Sequence, residues 1–204
     1  MPAKPTVEFF YEFASTYSYL SAMRIDGLAE QAGVAIAWRP FLLGPIFAAQ
    51  GWTTSPFNLY PAKGRYMVRD IERIAKARGR AFVMPAVFPA NGLAAARIAL
   101  SGEAAGWTGD FSRRVYEAQF EHAADISDIG VLTSLLSAMN LDPGTVLEQA
   151  NAPETKDRLR AQSARAAALG IFGAPSFITP DGELFWGDDR LEQALAWTLG
   201  HNPG

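Results

Sequence analysis

Ser15 stands where a strand pattern gives way to a helical one. Before it, Val7, Phe9, Phe10 and Tyr11 are β-branched or aromatic and follow a turn-like Pro5-Thr6. After it, Tyr19, Leu20, Met23, Ile25, Leu28 and Ala29 recur every three or four positions. A serine at such a junction caps the helix. The amides beside it have no internal partner and carry the positive end of the helix dipole. An anion is stabilised there, and a hydroxyl can donate to a thiolate or an oxyanion. The plain alternative is a cap without chemistry.

Other nucleophiles and ligands are scarce. No Gly-x-Ser-x-Gly elbow surrounds Ser15, so a Ser-His-Asp triad is not expected. The chain has no cysteine, which excludes a disulfide framework, a cysteine zinc site and a dithiol cycle of its own. Of the two histidines, His201 lies in a terminal Gly-His-Asn-Pro-Gly tail. His122 follows Gln119-Phe120-Glu121 in a helical segment and reads as structural or exposed, since a lone histidine is a poor metal site. No metal is expected.

The elements that must position Ser15 follow from composition and pattern. With 204 residues, 49% hydrophobic and 19% charged, the chain has ample material for a core. A net charge of −3 gives no support to a nucleic-acid partner. Met1-Pro2-Ala3-Lys4-Pro5 lacks the apolar run of a secretory signal. No apolar stretch approaches the roughly 20 residues that cross a bilayer, so the cytoplasm is the expected location. Gly33 closes the first helical run, and Val34–Phe41 alternates as a second strand, giving a parallel pair with a right-handed crossover. The loop from Gly51 to Pro61, rich in Pro, Thr and aromatics, has the length at which loops tend to be functional. Helical patterns cover Pro61–Arg78, Asn91–Leu100, about Thr108–Ala123, Ser127–Met139, Pro143–Gln149 and Thr155–Leu169. The segment 81–89 is extended but broken by Pro85 and Pro89, a linker and not a central strand. Pro175–Thr179 and Glu183–Trp186 read as strands around a Pro180-Asp181-Gly182 turn, with a last helix through Leu191 and Leu199. The order is βαβ, then five or six helices, then ββα, and four strands in one sheet is the simplest arrangement.

That plan, with a reactive position opening the first helix and Gly170-Ile171-Phe172-Gly173-Ala174-Pro175 before the third strand, resembles the α/β thioredoxin fold. The large helical insertion is similar to that of the DsbA and kappa glutathione transferase branch. The resemblance implies one domain over residues 1–204, with a core at about 5–41 and 170–200 and an insertion at about 42–169. It implies a cis Pro175, with Ala174 offering backbone N–H and C=O to a peptide-like ligand.

Where redox members carry Cys-x-x-Cys, this chain has Ser15-Thr16-Tyr17-Ser18. It cannot exchange disulfides but can hold the thiol of another molecule. This resembles the kappa-class glutathione transferases and, more closely, the glutathione-dependent 2-hydroxychromene-2-carboxylate isomerases. That family typically shows Phe-Tyr-Asp-Phe-x-Ser-Pro-Tyr-Ser-Tyr-Leu. Phe10–Leu20 matches it except for Glu12 in place of Asp and Thr16 in place of Pro. Pro61-Ala62-Lys63-Gly64-Arg65-Tyr66, Phe88-Pro89-Ala90-Asn91, Gly173-Ala174-Pro175 and Trp186-Gly187-Asp188-Asp189-Arg190 resemble four further family segments, in order.

The resemblance implies glutathione as cofactor. Its thiol would lie at Ser15 and its cysteinyl backbone at Ala174-Pro175. Its γ-glutamyl end would lie at Asp188 and Asp189, with Asp189 on the ammonium, and its glycyl carboxylate near Lys63. Tyr17, Asn58, Tyr66 and Asn91 would line the site of a small aromatic keto acid. Each acid, lysine or aromatic has a plain reading too, as helix cap, solvated side chain or core. The implied activity is cis–trans isomerisation by reversible thiolate addition, in a homodimer. The alternatives are a kappa-type transferase or peroxidase, and a non-catalytic thioredoxin-like binding module.

Overall fold

The structure, a computed structural model, describes residues 4–52 and 55–201. The loop residues Thr53 and Thr54, and the end of the terminal tail, lie outside them.

Strand β1 (Thr6–Tyr11) sits between β2 (Ala35–Pro40), to which it is parallel, and β3 (Ser176–Ile178), to which it is antiparallel. Strand β4 (Leu184–Trp186) pairs antiparallel with β3, so the sheet order is β2-β1-β3-β4. The expected four-stranded βαβ–ββα sheet is therefore present. In register, Phe9 lies opposite both Trp38 and Phe177.

Alternation along β1 divides the core between the faces of the sheet. Phe9 and Tyr11 join Phe13, Tyr19, Tyr116, Phe120 and Phe177 in the larger cluster. Phe10 joins a smaller one with Phe41, Leu43, Ile46, Ala166, Ile171 and Ile178. Rings of Phe9 and Phe177 stack 5.4 Å apart, and Phe9 meets Trp38 edge-on at 5.1 Å. The centre of the sheet is thus locked by aromatic pairs, each stabilising by roughly 0.5–1.5 kcal/mol beyond its buried area.

The first helical run divides in two. Helix α1 (Thr16–Ala22) ends at Met23, and α2 (Ile25–Ala32) starts after Arg24, whose N–H turns back to the Ser21 carbonyl. Gly33 closes α2 at φ 71°, a left-handed conformation that glycine adopts without strain. Between β2 and β3 run α3 (Leu43–Ala49), α4 (Pro56–Leu59), α5 (Pro61–Ala77), α6 (Leu93–Ser101), α7 (Thr108–Phe120), α8 (Ile129–Ala138), α9 (Pro143–Asn151) and α10 (Pro153–Ala168). These are eight helices among the described residues, not five or six. Pro56–Leu59 forms a short helix inside the stretch that the pattern marks as the Gly51–Pro61 loop. A 3₁₀ turn at Asp188–Arg190 leads into α11 (Leu191–Thr198).

Candidate active site

Ser15 takes an extended backbone (φ −84°, ψ 115°), and its Oγ accepts the Ser18 N–H at 3.1 Å. It is the N-cap of α1 that its position predicts. Its hydroxyl also does something no cap requires, donating to the Ala174 carbonyl at 2.9 Å across 159 residues of sequence. The Ala174–Pro175 peptide is cis. The loop that carries it is held from below: Gly187 N–H donates to the Pro175 carbonyl at 3.0 Å, and Ser176 Oγ donates to the Gly173 carbonyl at 2.9 Å. Gly173 lies flush under Trp186, where an added Cβ would stand 2.4 Å from the indole Nε1. Ser15, Ala174 and Pro175 are thus brought together, with a rotatable hydroxyl at the mouth of α1.

The turn into Ser15 is built around Glu12. Its carbonyl receives the Ser15 N–H at 2.9 Å and the Tyr116 hydroxyl at 2.9 Å, and its Oε2 receives the Ala14 N–H at 3.1 Å. Gly92 presses on this turn, since a Cβ there would stand 3.0 Å from Phe13 Cβ and 3.2 Å from Glu12 Oε1. Burial pushes the Glu12 carboxyl up to about 7, the Ala14 N–H opposing the shift only in part. The sequence reading noticed Glu12 only as a departure from Asp; an acid between Tyr11 and Phe13 was the available signal.

The two acids expected to meet a ligand have different roles. Asp188 is 4% exposed, and Ser21 Oγ (2.9 Å), Arg24 Nε (3.2 Å), Arg78 Nη1 (3.2 Å) and Arg78 Nη2 (2.7 Å) all donate to its carboxylate. Arg24 Nη2 adds a bond to its carbonyl at 2.6 Å. A carboxylate so fully supplied with donors has little capacity left for a ligand ammonium. Asp188 ties α1, α2 and the end of α5 to the turn before α11. Sequence reasoning missed Arg24 and Arg78, because the partners lie 164 and 110 residues from Asp188 and no local pattern joins them. Asp189 next door is open to water, with Arg190 Nη2 at 3.6 Å.

Tyr17 points its hydroxyl to Asp70 Oδ2 at 2.9 Å. Burial first, then Asp70 and the nearby Tyr66 and Asp189, hold that phenol well above its ordinary range, so it is a donor and not a base. Tyr66 is exposed, with the Arg73 guanidinium 5.6 Å over its ring. Lys63, in the first turn of α5, lies 4.9 Å over the exposed ring of Tyr60. Asn58 is exposed on α4, and Asn91 Oδ1 receives the Leu93 N–H at 3.1 Å at the start of α6. Tyr17, Tyr66 and Asp189 share one neighbourhood, whereas Asn91 belongs to the turn against Glu12.

None of Tyr17, Asn58, Tyr66 and Asn91 lines the roughly 610 Å³ cavity between α3, α6 and α10, which Leu93, Arg97 and Phe172 help to form. Among the described residues no group of three or more His, Cys, Asp or Glu could hold a metal, and no helix is long and apolar enough to cross a membrane.

Comparison with known proteins agrees with the architecture. A family model for the DSBA-like thioredoxin domain matches residues 6–196. The chain is 27% identical over 195 residues to a 2-hydroxychromene-2-carboxylate isomerase of Sphingobium xenophagum, covering 95% of this chain and 98% of that one. It is 26% identical to human glutathione S-transferase kappa 1, over 98% of this chain and 92% of that one. A crystallised 2-hydroxychromene-2-carboxylate isomerase superposes with a TM-score of 0.85 at 22% identity, over 96% of this chain and 94% of that one.

Proposed function

The chain belongs to the DSBA-like thioredoxin domain family, and from that premise we propose that it is a glutathione-dependent isomerase of the 2-hydroxychromene-2-carboxylate type. The observation that carries the reading is the Ser15 hydroxyl, capping α1 and donating to Ala174 beside cis Pro175 in a chain without cysteine. Bound glutathione would supply a thiolate that adds reversibly to an electrophilic carbon of an aromatic keto acid, allowing the rotation that converts 2-hydroxychromene-2-carboxylate to trans-o-hydroxybenzylidenepyruvate.

The residues present fit that tripeptide. The Ala174 carbonyl now receives the Ser15 proton; a ligand amide arriving at this carbonyl releases the hydroxyl to turn toward sulfur. Ser15 Oγ keeps the Ser18 N–H as its own donor, so the hydroxyl stays aimed while its proton moves. A donor at a helix N-terminus can lower a thiol pKa from about 8.5 to 7.5 or below. Ser15 is therefore a stabiliser of the anion and not the attacking group. Asp189, open to water, accepts the γ-glutamyl ammonium. Asp188 sets where Asp189 stands through Ser21, Arg24 and Arg78. On this reading Lys63 takes the glycyl carboxylate, and Tyr17, Asn58, Tyr66 and Asn91 meet groups at the rim. Similarity to isomerases over nearly the whole chain supports the reaction type. Reduced glutathione is a cytoplasmic thiol, and the cytoplasm and a homodimer complete the reading.

Calorimetric titration with glutathione, followed by a spectrophotometric assay on the chromene carboxylate, tests this. Micromolar to low-millimolar binding and turnover are expected. No heat at millimolar glutathione would overturn the reading in favour of a non-catalytic binding module. The similarity to human kappa transferase supports one rival within the same chemistry. Conjugation of a halogenated aromatic without isomerisation would select it.

A further inference from the structure

Arg97 lies one turn into the Ala-rich α6, with its Nε buried and unpartnered. Among the described residues it makes no ion pair or side-chain hydrogen bond. Arg97 lines the cavity of about 610 Å³ between α3, α6 and α10. Lys156, also on the wall, has no ionic partner among the described residues, and Arg160 beside it pairs with Asp157. Among the described residues no acid lines the cavity. Ser163 Oγ accepts the Leu42 N–H at 3.1 Å and gives its own proton to no described residue. Gln50 is the one further polar side chain among the described lining residues, and the rest of the wall is apolar, with Leu42, Ile46, Leu159, Ile171 and Phe172.

We propose that this cavity holds the second substrate, a small acid with a flat apolar body, and that Arg97 takes its carboxylate. The proposal rests on the functional reading above only in calling the occupant a substrate. A buried N–H without an acceptor is destabilising, and a carboxylate placed here supplies the acceptor to a guanidinium fork built for it. Cavities of roughly 300–1,000 Å³, mostly apolar with a few convergent polar groups, are those that enclose small ligands. The wall leads to both halves of the Ser15 site. Phe172 is two residues before Ala174, and its half-exposed ring packs on Trp186 at 4.9 Å. Leu93 follows Gly92, which presses on the Glu12–Phe13 turn. An acid anchored on Arg97 with its ring along Phe172 extends toward the serine. This moves the substrate from the rim residues Tyr17, Asn58 and Tyr66 to the cavity between α3, α6 and α10.

Binding of trans-cinnamate, followed by ligand-observed NMR and calorimetry without glutathione, is the test. Wild type should bind it, cinnamyl alcohol should bind at least tenfold more weakly, and Arg97→Met should lose at least tenfold for the acid while its glutathione affinity stays unchanged. Arg97→Lys should recover part of the loss. Equal binding of acid and alcohol by wild type would overturn the proposal even if Arg97→Met does not fold. So would an undiminished affinity in folded Arg97→Met. A wild type that ignores cinnamate, and whose self-association falls in Arg97→Met, would make the cavity a contact between copies and also overturn it. Arg97-dependent cinnamate binding in a protein that does not bind glutathione would sink the isomerase reading and leave this site standing.

Discussion

Two charged side chains of this molecule carry buried polar atoms, and those atoms are treated in opposite ways. Asp188 is surrounded by Ser21, Arg24 and Arg78, and hardly an acceptor site on it is left over. Arg97 borders a cavity with a buried Nε that nothing receives. The first arrangement is what a fold does to keep a buried charge; the second is what a fold leaves when another molecule completes it. Ser15 lies between the two. Its hydroxyl is satisfied, but by a backbone carbonyl that an incoming amide can take over.

The contrast breaks if the two groups respond alike to removal. Asp188→Asn leaves Arg24 and Arg78 without their shared anion and should cost about 3 kcal/mol of unfolding free energy in urea titrations. Arg97→Met should cost less than about 1 kcal/mol, since it removes a donor that had no acceptor. Equal losses would show that satisfaction of hydrogen bonds does not separate structural from functional charge here.

Ser15→Ala removes the intermediate case. Turnover should fall about 100-fold, the usual cost of losing one donor to a developing anion, with glutathione affinity changed far less. Steady-state kinetics beside calorimetry separates the two effects, and unchanged turnover would refute the role given to the hydroxyl.

Glu12 sharpens the comparison, because it is a buried acid without a cation. Its carboxyl rises from 4.5 to about 7 on folding. The folded state therefore holds its full advantage from this group below pH 4.5 and loses it as pH climbs through 7. Glu12→Gln should be more stable than wild type at pH 8, by about 2 kcal/mol relative to the difference at pH 5, after discounting for partial contact with water. Parallel chemical melts at the two pH values measure this. The smallest effect is expected at the exposed acid: Asp189→Ala should weaken glutathione about tenfold and leave stability within about 0.5 kcal/mol. An unaltered dissociation constant would remove Asp189 from the site.

What the sequence announced were features written in consecutive residues. The hand-over at Ser15, the strand Pro175–Thr179 and the Asp-Gly turn after it each carry a local signal, and the sheet follows from them. The division of the first helical run did not show, since Leu20, Met23, Ile25 and Leu28 keep one periodicity across the break. Arg24, at the break, is held by Asp188, 164 residues further along the chain. The ion pairs of Asp188 did not show for the same reason, because a Trp-Gly-x-Asp-Arg ending shows an acid near a helix and not the arginines around it. Arg97 gave no signal at all: within Leu93-Ala94-Ala95-Ala96-Arg97 it looks like a solubilising residue on an Ala-rich helix. Only the packing of α3 and α10 around it sets it, with its Nε unpartnered, on a mostly apolar wall.

The missing methyl at position 173 has a consequence for how this mouth can change. With the indole of Trp186 resting where a side chain at 173 would begin, neither position is free to vary alone. Any larger residue at 173 evicts the indole, and the ring of Phe172 loses the surface it leans on. A remodelled entrance therefore needs coordinated replacement at both places, and libraries that randomise one of them at a time will return mainly inactive clones.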